Sequence, residues 1–196
     1  MVKINFDVKK HKLENGLEVI TIKKDTQISS INIGVKVGAL NETLSEKGIS
    51  HYIEHMLFKG TENRTFQKLN DDLEALGGEY NAYTDFSQTV YSISCLEEEL
   101  KRAIEILSDM LIYSKFPEEE IEKERGVILA EIRSSKDSVE DFSFKKINEV
   151  AFKKSALRYD VAGLDENVRS FTSKIIFYSS ASAAARMHLT YPPSSG

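Results

Sequence analysis

Apolar positions along this chain switch between a period of two and a period near 3.6, and the switches mark out its elements. Lys12-Leu13-Glu14 leads into Asn15-Gly16, a two-residue turn signal, and Leu17 to Ile22 leads out. Residues 10–24 therefore predict a β-hairpin. Residues 30–37 alternate and predict a strand, broken by Gly38-Ala39-Leu40-Asn41-Glu42. A helix is expected from about Gly48 to Leu57 or Phe58, closed by Gly60. A second, capped by Thr65, is expected over 66–76. Gly77-Gly78 ends it. One or two strands follow over 79–96, interrupted near Asp85-Phe86-Ser87.

A third helix is predicted over 97–113, with Leu100, Ala103, Ile104, Leu107 and Leu111 on one stripe. Pro117 opens a fourth, which carries Ile121, Ile128 and Ile132 and runs to Ser135 or beyond. Further on, helix is expected over 142–152 and a short one over 171–178. Residues 179–185 are a bland Ser/Ala stretch, and Met187, Leu189 and Tyr191 alternate like a last strand. Hairpins combined with paired helices predict an α+β fold, a mainly antiparallel sheet with helices packed on one face. A single domain is expected over 1–191, with 192–196 a flexible C-terminal end.

At 196 residues, with 41% apolar and 29% charged positions, the chain can bury one ordinary core. Its net charge of -5 and scattered lysines argue against a nucleic-acid partner. Cys95 is the single cysteine, which excludes an intrachain disulfide and fits a half-buried strand residue better than a nucleophile. Residues 1–7 mix charge with apolar side chains, unlike a signal peptide. No apolar run approaches the length of a membrane span. A cytoplasmic protein with no membrane partner is the expectation.

The chemistry concentrates at His51-Tyr52-Ile53-Glu54-His55. On a helix, positions i and i+4 lie about 6 Å apart along the axis, so both imidazoles can converge on one ion. Glu54, at i+3 from His51, shares that face without having to bind. A lone histidine is more often structural than a ligand, but two of the four histidines here stand in this arrangement. A hydrolytic zinc site takes three protein ligands plus water. The third has to come from elsewhere. Glu131 is the best candidate, with Glu124 seven residues earlier. That span is about 10.5 Å of helix, so one carboxylate binds and the other holds a histidine ring from outside. Spacing does not choose between them, and a plain solvated face competes, since Glu118, Glu119, Glu120 and Glu122 fill the same helix. Imidazole plus carboxylate suits Zn2+.

His51-x-x-Glu54-His55 is the inverted zinc-peptidase motif, and Gly48 to Thr61 around it resembles the signature block of the pitrilysin family. The likeness runs from Leu13-Glu14-Asn15-Gly16-Leu17 through Glu131-Ile132-Arg133, and favours the processing-peptidase-like bacterial branch. The resemblance implies a pitrilysin-type N-terminal catalytic domain. It selects Glu131 as third ligand, within Glu124-Arg125-Gly126-Val127-Ile128-Leu129-Ala130-Glu131, and makes Glu124 the supporting carboxylate behind a ligand. Gly77 to Thr84 resembles the strand that takes the peptide substrate as an added strand, so Asn81 and Ala82 are expected substrate contacts.

The function this implies is a zinc-dependent endopeptidase acting on peptides or unfolded polypeptides. Glu54 is the general base on zinc-bound water. The chain departs from the family in length. Relatives usually close two related domains around the peptide, which implies a homodimer or a partner subunit completing the peptide chamber. The competing expectations are a non-catalytic, metal- and peptide-binding subunit that requires such a partner, and a domain whose zinc is purely structural.

Overall fold

The computed structural model describes residues 7–186. The expected last strand at 187–191 and the end at 192–196 lie outside the described residues. The chain opens with β1 (Asp7–Lys12) and β2 (Glu18–Lys23), an antiparallel pair in which Lys12 faces Glu18. Their connection is longer than the expected two-residue turn. Leu13 N–H donates to the Leu17 carbonyl and Gly16 N–H to the Leu13 carbonyl, both at 2.9 Å, so Asn15-Gly16 closes a three-residue loop. This hairpin is a sheet of its own.

The second sheet has the order β3-β5-β4, from β3 (Ile28–Val35), β4 (Glu79–Thr84) and β5 (Thr89–Leu96), all antiparallel. Its period-two pattern separates the faces. Ile33, Tyr91 and Ala82 stand in one row, and Ile31, Ile93 and Tyr80 in the next, all turned to the core. Ser30, Asn32, Asn81 and Tyr83 face outward and are exposed. The helices are α1 (Ile49–Met56), α2 (Phe66–Glu74), α3 (Leu100–Ile112), α4 (Glu118–Asp137), α5 (Val139–Ala151), α6 (Asp165–Ser170) and α7 (Ser173–Arg186), of which α1 and α3 pack against the sheet and carry the others on them.

The expected α+β architecture is the one observed. Two helices differ from the sequence pattern. α6 was not anticipated, and the Ser/Ala stretch continues α7 rather than ending it. Alanine is the best helix former, so this stretch needs no apolar stripe to remain helical. Among the described residues, no helix is long and apolar enough to cross a membrane.

α1 is pinned at its start and in its middle. Gly48, its N-cap, has no side chain to offer, and the orphan N–H groups of the first turn find Glu42 instead. Glu42 accepts from Gly48 N–H at 3.0 Å and from Ser50 N–H at 2.9 Å. Lys47 supplies the countercharge, buried with Nζ 4.0 Å from Glu42 and donating to the Ala39 carbonyl at 2.6 Å. In the middle of α1 the fully buried Tyr52 donates its hydroxyl to the Ile121 carbonyl at 2.5 Å. That bond fixes α1 against α4, and so fixes the histidines against the glutamates of α4.

A separate ion cluster ties α2 to α3. Asp72 accepts from Lys68 at 2.7 Å, Arg102 at 2.9 Å and Arg64 at 3.1 Å. These donors, Lys68 foremost, hold the Asp72 carboxyl down at about 2 against an ordinary 3.8. On acidification the unfolded carboxyl takes up its proton first. The stability Asp72 contributes is therefore complete above about pH 4 and lost as pH falls through about 2. Urea titrations of wild type and Asp72→Asn should show a gap that closes over this window. A gap independent of pH would reject the assignment.

Candidate metal centre

His51, His55 and Glu54 project from one face of α1, and α4 lays Glu124 and Glu131 across it. The Nε2 atoms of His51 and His55 are 3.2 Å apart, and Glu131 Oε2 is 3.6 Å from each. Together they form a group whose ligand atoms all lie within 4.8 Å of one another. With metal–ligand bonds of about 2.05 Å, a 3.2 Å separation subtends about 100° at an ion and 3.6 Å about 120°, both close to tetrahedral. Two imidazoles and one carboxylate with this spread fit a zinc ion and leave a fourth direction open. Glu131 is 47% exposed and His51 only 16%, so the group lies between the core and solvent.

Glu124 stands behind the group, not in it. Its Oε2 is 3.0 Å from His55 Nδ1, and its Oε1 is 2.6 Å from Lys59 Nζ. Accepting from Nδ1–H leaves the Nε2 lone pair of His55 directed at the centre. His51 has no such support: its Nδ1 is buried and, among the described residues, has no hydrogen-bond partner. Burial, helped by the nearby His55, pushes the His51 pKa down to about 4, with Asp160 acting weakly the other way. Burial also works against the His55 cation, but the Glu124 hydrogen bond and the charges of Glu131 and Glu54 outweigh it and raise its pKa. Burial pushes Glu124 up, yet its bonds to His55 and Lys59 prevail and its carboxyl is lowered.

Glu54 sits beside the group without joining it. Thr84, at the end of β4, donates its hydroxyl to Glu54 Oε2 at 2.6 Å and fixes the carboxylate's orientation. Burial raises the Glu54 pKa, with Glu131 adding to the rise and Thr84 and His55 opposing it. A dication at the centre would act in the same sense as His55, favouring the carboxylate.

The expected substrate residues lie on β4, an edge strand of its sheet. The Ala82 side chain packs inward against the core, so only its main chain is presented at the edge. Asn81 is exposed, and its Oδ1 accepts from Ala82 N–H at 2.9 Å. Sequence spacing did not single out Lys59, Thr84 or Glu42. Lys59 stands four residues after His55, which was a readable signal. Thr84 and Glu42 reach α1 only through the tertiary fold.

Comparison with known proteins adds independent findings. Residues 18–164 match the family described as Insulinase (Peptidase family M16). The chain is 39% identical over 174 residues to an uncharacterized zinc protease of Rickettsia felis, covering 88% of this chain and 42% of the relative. It is 35% identical over 162 residues to the beta subunit of the mitochondrial-processing peptidase of Rattus norvegicus, covering 83% of this chain and 33% of that subunit. A protease from Helicobacter pylori has a similar structure, with a TM-score of 0.88 at 25% identity, covering 93% of this chain and 45% of that one. The chain thus spans between about a third and two fifths of the length of the curated relatives it matches.

Proposed function

This chain belongs to the insulinase family, peptidase family M16, and on that premise we propose that it carries the metal centre of a zinc-dependent endopeptidase acting on peptides or unfolded polypeptides. The observation that supports this reading is the convergence of His51, His55 and Glu131 beside a carboxylate that is not a ligand.

His51, His55 and Glu131 would hold the ion. When bound, zinc supplies Lewis acidity, which polarises the scissile carbonyl and acidifies water. Glu54 accepts a proton from the attacking water on its carboxylate and returns it to the departing amine. Thr84 aims the carboxylate for both transfers. Glu124 keeps the His55 ring in the tautomer that presents Nε2. The peptide lies along β4 as an added strand, held by main-chain hydrogen bonds at the edge. Asn81 Oδ1 gives up the Ala82 N–H to the substrate carbonyl.

A second reading is that the chain works only with another polypeptide, a second copy or a different subunit. The apolar surface it leaves open favours this. α5 buries none of its side chains, with Val139, Phe144, Ile147 and Val150 all exposed, and Val8, Ile20 and Ile22 are exposed on the β1–β2 hairpin. Contiguous apolar faces of this kind mark interaction sites.

One experiment addresses both readings. Fractions of known mass from sedimentation are incubated with quenched-fluorescent peptides, with and without a chelator. Cleavage that the chelator abolishes and zinc restores is expected. Cleavage confined to fractions heavier than the monomer favours the second reading. No cleavage in any zinc-loaded fraction, with or without an added partner, rejects the peptidase.

A further inference from the structure

We infer that Lys59 is a positioning residue of the metal centre, holding Glu124 so that Glu124 can hold His55. The inference rests on the zinc site proposed above and extends it one step outward. Glu124 is buried, and its two oxygens face opposite ways: Oε2 to His55 Nδ1 at 3.0 Å and Oε1 to Lys59 Nζ at 2.6 Å. The line from metal ligand to carboxylate to ammonium is unbroken and crosses from α1 to α4 and back to the segment that follows α1. Lys59 is itself fixed. It follows the last turn of α1, where its N–H donates to the Met56 carbonyl at 3.0 Å, and its ammonium lies over the Phe66 ring at 5.2 Å.

A carboxylate that makes one bond can swing about that bond. A carboxylate gripped at both oxygens cannot. Lys59 therefore sets the plane in which Glu124 accepts from His55, and through it the direction of the Nε2 lone pair. It also neutralises a charge that would be costly to bury alone. Glu131, by contrast, meets the centre from the exposed side. His55 is thus the ligand with the deepest support, and Lys59 is its far end. Partners behind a metal ligand typically change affinity by about 10–100-fold when lost.

The test compares wild type, Lys59→Met, Lys59→Arg, Glu124→Gln and the Lys59→Met/Glu124→Gln pair. Zinc affinity is measured by competition with a chromophoric chelator. Imidazole nitrogen NMR of the metal-free proteins reports the His55 tautomer independently of turnover, with His55→Ala giving the assignment. Lys59→Met should weaken zinc binding by about tenfold or more and alter the His55 Nδ1 signal, and Lys59→Arg should restore both. In the Glu124→Gln background the Lys59 change should cost little further, because the two act in series. Thermal unfolding of each metal-free variant separates this from a general loss of fold. The inference is overturned if Lys59→Met binds zinc as wild type does with an unchanged His55 signal. It is overturned equally if the two substitutions add in full. Zinc binding that is absent from wild type, or indifferent to His55→Ala, removes the proposed site and this inference together. Normal His55-dependent binding with no effect of Lys59 removes the inference alone.

Discussion

Glu54→Gln is expected to leave zinc bound and lower kcat for peptide cleavage by about 10²–10⁴-fold, the usual contribution of a positioned acid–base group. Glutamine keeps the shape of the side chain, and its amide oxygen can still accept the Thr84 hydroxyl that now meets Glu54 Oε2 at 2.6 Å. What it cannot do is take and return a proton. The three groups placed to hold the ion are untouched, because Glu54 is not among those that converge. His55→Ala should behave differently. It removes one of the two nitrogens 3.2 Å apart and strands Glu124 with only Lys59 as partner, so both metal content and cleavage should be lost. The pair is read by elemental analysis and steady-state kinetics on the same preparations. A Glu54→Gln protein with near wild-type kcat would end the assignment of Glu54 as base. One that has lost its zinc would move Glu54 into the ligand set.

The different fates of these residues reflect how far along the chain each interaction reaches. The pairing of His51 with His55 is local: four residues on one helix bring two imidazoles together whatever the rest of the fold does. Residue spacing left Glu131 and Glu124 interchangeable, because both lie on one face of α4 and the choice depends on where α1 crosses it. The family resemblance supplied that choice, and the fold supplies its physical reason. The Tyr52 hydroxyl meets the Ile121 carbonyl, so the part of α4 that holds Glu124 runs behind the His55 ring and Glu131, two turns on, faces the Nε2 atoms. Thr84 is 30 residues from Glu54, and nothing in the alternation of β4 shows that its last hydroxyl meets a helix. The strands were legible because one face of the sheet is buried and the other is wet. The extent of α7 was not, since Ser179 to Ala185 is helical by propensity and has no apolar stripe to display it. In α5 the pattern reads as helix, yet none of its side chains is buried, so the apolar residues there do not serve this domain's core.

Gly163→Ala should destabilise the protein by more than about 1 kcal/mol, because alanine is placed in a backbone conformation it avoids and against packed backbone, and should weaken zinc binding as a consequence. Gly163 has φ +87, a backbone conformation that side chains avoid, and lies against the start of α1. A Cβ there would fall on the Lys47 carbonyl and the Gly48 Cα, and 2.6 Å from the Gly48 nitrogen. All three are backbone, so no side chain can turn aside to make room. Gly48 itself has φ +99 and meets the same loop from the other side, with its Cβ direction 2.7 Å from the Ala162 carbonyl oxygen. Two glycines pressed together let the 160–163 loop cross the N-terminus of the metal-bearing helix. Asn167, from α6, locks the crossing by donating to the Leu44 carbonyl at 2.8 Å and the Lys47 carbonyl at 3.3 Å. Displacing the loop therefore shifts the Gly48 and Ser50 N–H groups off Glu42, and His51 moves with them. Gly126→Ala is the matched control. Gly126 is exposed within α4, a Cβ there meets nothing within 4 Å, and alanine favours helix over glycine by about 0.5–1 kcal/mol. The two substitutions add the same methyl group with opposite expected signs. Urea unfolding of both, alongside zinc competition, decides the matter: a Gly163→Ala protein as stable as wild type would mean that α1 does not depend on the crossing.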